Sequence, residues 1–129
     1  KRDWGHARDF VEGIWMIQQQ PEPDDYVLAT GETRSVREFV ERAFKVVGKS
    51  VEWRGEGIEE EGIDKATGDV VVRVDPRFFR PTEINELHGD YSKAKNAFGW
   101  EPKITFDQLV SEMVEADLNA LRHPGLVRK

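Results

Sequence analysis

Three arginines stand in settings that suit the recognition of an anion. Arg77 and Arg80 flank Phe78-Phe79, with Pro81 and Glu83 following, and Arg2 precedes Asp3-Trp4. A guanidinium donates in a planar fork that matches phosphate oxygens. Among aromatic residues and prolines, just past an apolar strand, such an arginine is expected to be rigid and partly dehydrated. That setting favours anion recognition over solvation. Glu83, three residues after Arg80, is spaced to accept from a hydroxyl pair such as a ribose offers. The pattern alone leaves a second reading open, in which these are ordinary surface ion pairs.

Other chemistries find little support. The chain holds 19 Lys and Arg against 25 Asp and Glu, a net charge of −6. Such a balance argues against nucleic acid or an anionic membrane as a partner, so an anion site needs a local convergence of arginines. His6, His88 and His123 lack i,i+4 pairing and read as surface or helix-end residues, not metal ligands. There is no cysteine, and no serine lies in a G-x-S-x-G turn, so covalent catalysis has no candidate. Neither G-x-G-x-x-G nor a Walker loop occurs. Tyr91 and Lys95 match Y-x-x-x-K, yet no serine- or threonine-bearing strand and no glycine-rich dinucleotide loop precede them. They read as the start of a surface helix.

With 129 residues, 38% hydrophobic and 34% charged, the chain is sized for one domain with a modest core. No apolar run approaches the roughly 20 residues of a membrane span, so a reducing, aqueous, cytoplasmic setting is expected. The opening Lys1-Arg2-Asp3-Trp4-Gly5-His6 lacks an initiator methionine and reads like the interior of a longer polypeptide.

Periodicity predicts a helix from about Asp9 to Gln20, with Phe10, Val11, Ile14, Trp15 and Ile17 on a wide apolar face. Tyr26–Ala29 is expected to be a buried strand. Ser35 and Glu38 form a capping box that opens a helix ending at Gly48. Val51–Trp53 is the next strand, and residues 54–68 form a polar loop. Val70–Val74 is expected to be a strand buried on both faces. Asp90 starts a short helix to Phe98, closed by Gly99, with Trp100 folding back. Thr105 and Gln108 form a second capping box for a long helix to about Arg122. Residues 75–90 carry no clear pattern, although Pro81 could open a turn. The expected class is α/β: a small mixed sheet with flanking helices and some parallel pairing.

These segments also carry a resemblance. Arg2-Asp3-Trp4-Gly5-His6-Ala7-Arg8-Asp9-Phe10-Val11 is similar to the R-D-W-G-H-A-x-D-Y-V stretch of GDP-mannose 4,6-dehydratases. Tyr26–Gly31, Ser35–Val40, Val74–Glu83, Ser92–Lys95 and Gly99–Pro102 continue it, to about Ala120. The R-D-W-G-H and D-P-R-F-F-R-P-T-E blocks are specific to the dehydratase. The S-K-A-K and G-W-x-P blocks are shared by extended short-chain dehydrogenase/reductases that act on nucleotide sugars.

The resemblance implies that residues 1–129 are the C-terminal, sugar-nucleotide-binding part of a larger enzyme. The NADP-binding Rossmann half and its catalytic residues would then lie outside this chain. It further implies that Arg2 and Arg80 hold the diphosphate of GDP-mannose and that Glu83 takes the ribose hydroxyls. The implied reaction gives GDP-4-keto-6-deoxymannose, on the way to GDP-fucose, in a homo-oligomer of two or four chains. The segment alone would have no catalytic residue and no turnover. Alternatives are the same part of another nucleotide-sugar dehydratase, epimerase or reductase, and a free-standing, non-catalytic binding module. Phe10 and Phe78 stand where tyrosine is usual, Tyr91 where proline or threonine is common, and the loop before Asp69 is shorter than in some relatives. None of these departures touches the phosphate ligands.

Overall fold

Helix α1 (Ala7–Gln18) begins two residues earlier than its apolar periodicity indicates, because His6 Nδ1 accepts the Arg8 amide at 3.0 Å and caps it. This geometry comes from a computed structural model that describes residues 1–80 and 82–123. Pro81 lies outside the described residues, so the turn suggested for it has no counterpart here. Before α1 runs the short strand β1 (Arg2–Asp3), which pairs antiparallel with β2 (Thr33–Arg34).

Helix α2 (Val36–Val46) opens on the expected capping box. Ser35 Oγ accepts from the Glu38 amide at 3.1 Å, and the Glu38 carboxylate accepts from the Ser35 amide at 2.7 Å. Strands β3 (Val51–Arg54), β4 (Glu61–Asp64) and β5 (Val70–Arg73) follow as an antiparallel meander with β4 in the centre. Helix α3 (Ser92–Phe98) is short. Helix α4 (Phe106–Arg122) starts on the Thr105–Gln108 capping box and packs on α2.

The α/β class holds, with four helices and two small sheets. The expected parallel pairing does not. Every strand pair among the described residues is antiparallel. Tyr26–Ala29 is extended but joins no ladder; Ala29 is buried, and the Thr30 amide bonds to the Asp3 carboxylate instead of to a strand. Strand β4 falls within the stretch 54–68 expected to be a polar loop, and its own four residues carry one apolar side chain, Ile63. Strand β5 is an edge strand with Val70 exposed, so its unbroken apolar run does not mark burial on both faces.

Two contacts lock the C-terminal helices to α1. Trp100 is 2% exposed, and its Nε1–H donates to the Asp9 carbonyl at 2.9 Å. The buried Asp9 carboxylate accepts from the Lys103 and Ile104 amides at 3.0 and 2.9 Å. Gly13 permits this approach: a Cβ there would lie 2.7 Å from Leu28 Cδ1 and 2.8 Å from Trp100 Nε1. Trp4 stacks on Phe39 at 4.8 Å and meets Phe106 at 6.4 Å, so the segment after β1 is wedged between α2 and α4. The apolar face of α1 is split. Val11, Ile14 and Trp15 point outward and are each more than half exposed.

Asp64 is buried at the β4–β5 turn and accepts from Lys49 Nζ at 2.7 Å and from the Ala66 amide at 3.0 Å. The lysine hydrogen bond, followed by the amide, holds the Asp64 carboxyl below its ordinary range, and the same bond raises Lys49. A lowered carboxylate pKa adds stability above the unfolded value that is lost as pH falls through the folded one. Urea-unfolding stability should therefore decline below about pH 4. Asp64→Asn should remove the Asp64 share of that acid-side dependence, making the decline shallower, and lower stability at neutral pH.

Candidate functional site

Side chains alternate along a strand, so β1 turns Arg2 and Asp3 to opposite sides. Arg2 faces the segment 83–89. Its Nη2 donates to Glu83 Oε2 at 2.9 Å and its Nη1 to the Ile84 carbonyl at 2.8 Å. Arg80 Nη1 lies 3.8 Å from Glu83 Oε1. That separation is too long for a hydrogen bond but close enough for direct charge attraction. Arg2, Arg80 and Glu83 thus form one cluster, with a single carboxylate between two guanidinium groups.

Arg77 does not join it. Its guanidinium forks onto Asp75, with Nε 3.1 Å from Oδ1 and Nη2 2.6 Å from Oδ2, and lies 5.5 Å over the Phe78 ring. That pairing, with the Arg77 amide, pulls the Asp75 carboxyl below its ordinary range. The dehydration expected around Arg80 is not found. Its side chain is 78% exposed and Phe78 is 77% exposed, because no described element covers residues 75–80.

The sequence reading missed the residues that hold Arg2 in place. The Asp3 carboxylate accepts from the Thr30 amide and hydroxyl at 2.7 and 2.6 Å, and from the Gly31 amide at 3.0 Å. Thr33 Oγ1 donates to Glu86 at 2.6 Å, His88 Nε2 to the Gly31 carbonyl at 2.8 Å, and the Leu87 amide to the Lys1 carbonyl at 3.2 Å. These bonds seam segment 83–89 against β1 and β2. The adjacency of Asp3 to Arg2 was the one available signal, and nothing in the spacing identified its partners. Arg2 also stands at the rim of an open cleft of about 320 Å³, walled by Phe10, Val27, Leu87 and His88.

A side chain accepts from a backbone amide at each of the four described α-helix starts. His6, the Ser35–Glu38 box, Asp90 and the Thr105–Gln108 box already take amides there. The Thr30 and Gly31 amides are taken by Asp3. Among the described residues no three acidic or histidine side chains converge as a metal site, and no helix is long and apolar enough to cross a membrane.

Tyr91 and Lys95 point to structural tasks. The Tyr91 ring meets Trp100 edge-on at 5.8 Å, and Lys95 Nζ pairs with Glu101 at 2.7 Å. That pair raises the Lys95 pKa, the opposite of what a proton-accepting lysine needs. Tyr91→Phe should therefore leave nucleotide affinity within about twofold of wild type in a titration, since the substitution keeps the ring that meets Trp100.

A family model described as GDP-mannose 4,6 dehydratase matches residues 1–113. The GDP-mannose 4,6-dehydratase of Sinorhizobium fredii is 58% identical over 122 residues, covering 95% of this chain and 35% of that protein. The GDP-mannose 4,6 dehydratases of Drosophila melanogaster and Homo sapiens are 54% and 52% identical, again over 95% of this chain and 31% and 33% of their own lengths. The chain spans about a third of the length of the curated relatives it matches. Among solved structures, RMD from Pseudomonas aeruginosa complexed with NADPH aligns with a TM-score of 0.62 over 88% of this chain and 31% of that one. At 17% identity this is a likeness of fold. On the family match, the chain belongs to the GDP-mannose 4,6-dehydratase family.

Proposed function

We propose that residues 1–129 form the sugar-nucleotide-binding, C-terminal part of an NADP-dependent GDP-mannose 4,6-dehydratase, a lyase that forms GDP-4-keto-6-deoxymannose. One observation supports the assignment of ligands above the rest. Two guanidinium groups, far apart in sequence, already surround one carboxylate in a chain of net charge −6. In this reading Arg2 and Arg80 grip the diphosphate of GDP-mannose through their forked donors. Glu83 then leaves Arg2 and accepts from the ribose hydroxyls. In the ligand-free state Glu83 stands in for the anion, keeping the two like charges together.

NADP, when bound, supplies hydride chemistry, and the residues that hold it lie outside this chain. The part played by this chain is to bind and orient the sugar nucleotide. The bare apolar face of Val11, Ile14 and Trp15 supports packing of α1 against further polypeptide, in keeping with relatives about three times as long. A cytoplasmic homo-oligomer of two or four chains that feeds GDP-fucose formation completes the proposal, with no nucleic acid or membrane partner.

Titration of the full-length protein carrying this segment with GDP, UDP and dTDP tests the substrate class. GDP should bind tightest, and tighter UDP or dTDP would point to another nucleotide-sugar enzyme. Arg80→Ala should weaken GDP binding by roughly 1.5–3 kcal/mol, the scale of a charged hydrogen bond. A loss within error of zero would remove Arg80 from the site.

A further inference from the structure

One carboxylate outside the arginine cluster collects four hydrogen bonds from two distant stretches of chain. Asp3 Oδ1 accepts from the Thr30 amide and hydroxyl, and Oδ2 from the Gly31 amide and from the Gly89 amide at 3.4 Å. All of its donors belong to the protein, so Asp3 is occupied as an anchor and is not free to act as a base. Gly89 is shaped for this contact. A Cβ there would lie 2.2 Å from Ala29 Cβ, so only a residue without a side chain lets the segment lie against the stretch that leads into the Thr30–Gly31 turn.

The consequence concerns Arg2, the preceding residue on the opposite side of the strand. In the free state Arg2 reaches segment 83–89 through Glu83 and the Ile84 carbonyl. A diphosphate taken up between the arginines displaces Glu83, and Arg2 then keeps only the carbonyl. The Leu87–Lys1, Thr33–Glu86 and His88–Gly31 bonds survive ligand binding as well, but among the surviving links the Asp3 carboxylate is the one made by the residue next to Arg2, and it ties that strand to both the Thr30–Gly31 turn and Gly89. We propose that Asp3 is a positioning residue: it holds the Arg2 strand against the Thr30–Gly31 turn and Gly89, so that Arg2 keeps its aim when Glu83 lets go. This rests on the diphosphate reading of the arginine cluster.

Asn is the isosteric test. It leaves an acceptor for Thr30 but turns an NH₂ toward the Gly31 and Gly89 amides, or the reverse if the amide flips. Calorimetric titration with GDP of the full-length protein carrying this segment separates the cases. If Asp3 positions Arg2, Asp3→Asn raises the GDP Kd by about tenfold, one charged hydrogen bond's worth, while the fraction of binding-competent sites stays at wild-type level. In an Arg2→Ala background Asp3→Asn then adds little, because the residue through which it acts is gone.

An unchanged Kd with fewer competent sites marks a purely structural role and overturns the proposal, as does full additivity with Arg2→Ala. Should Asp3→Asn not fold, Thr30→Val removes the hydroxyl that donates to Asp3, together with its longer contacts to the Glu32 backbone, and keeps the Thr30 amide. It should raise Kd by about threefold, with recovery in Thr30→Ser; a Kd equal to wild type in Thr30→Val overturns the proposal. Absence of GDP binding by the wild-type protein removes the diphosphate site itself and the inference with it. Wild-type binding that Asp3→Asn leaves intact refutes the inference alone.

Discussion

Like charges repel, so an anion between two guanidinium groups favours their staying close. In this chain that anion is Glu83, shared by Arg2 at 2.9 Å and Arg80 at 3.8 Å. The rest of the structure serves to bring these three groups together. Exposed pairs of this kind are individually weak. Their convergence therefore depends on the backbone that carries them, and it leaves a carboxylate that a stronger anion can replace.

That backbone is held by contacts of a different kind. Trp4 is wedged against Phe39 and Phe106, which fixes the chain just past Arg2 between α2 and α4. Two residues further on, His6 starts α1, and Asp9 and Trp100 tie that helix to the loop before α4. The aromatic packing and buried hydrogen bonds are the stiff part of the site, and the arginine–glutamate cluster is the exchangeable part. Arg77, neutralised locally by Asp75, shows that proximity in sequence to Arg80 is not enough for membership.

Local rules read much of the fold from sequence. Both capping boxes were legible because their partners sit three residues apart, and Gly48 and Gly99 take positive φ where the helices end. Long-range pairing was not legible. β4 needs partners on both sides to order a stretch with one apolar residue, and Tyr26–Ala29 runs extended without a ladder while the next residue, Thr30, bonds to the Asp3 carboxylate. The same division runs through the site. Arg2, Arg80 and Glu83 could be named from residue type and from a family pattern. Asp3, Thr30 and Gly89 could not, because their link joins positions up to 86 apart through one side chain. The exposure of Arg80 also escaped the sequence, since flanking aromatics indicate shielding only when another element covers them.

The central claim is that the two arginines share one diphosphate and that Glu83 yields its place to it. A crystal structure of the full-length protein with GDP bound tests this most directly. Guanidinium nitrogens of both Arg2 and Arg80 should then lie within hydrogen-bond distance of the diphosphate, with the Glu83 carboxylate moved onto the ribose hydroxyls. Glu83 still bridging the two arginines, with GDP seated elsewhere, would contradict it.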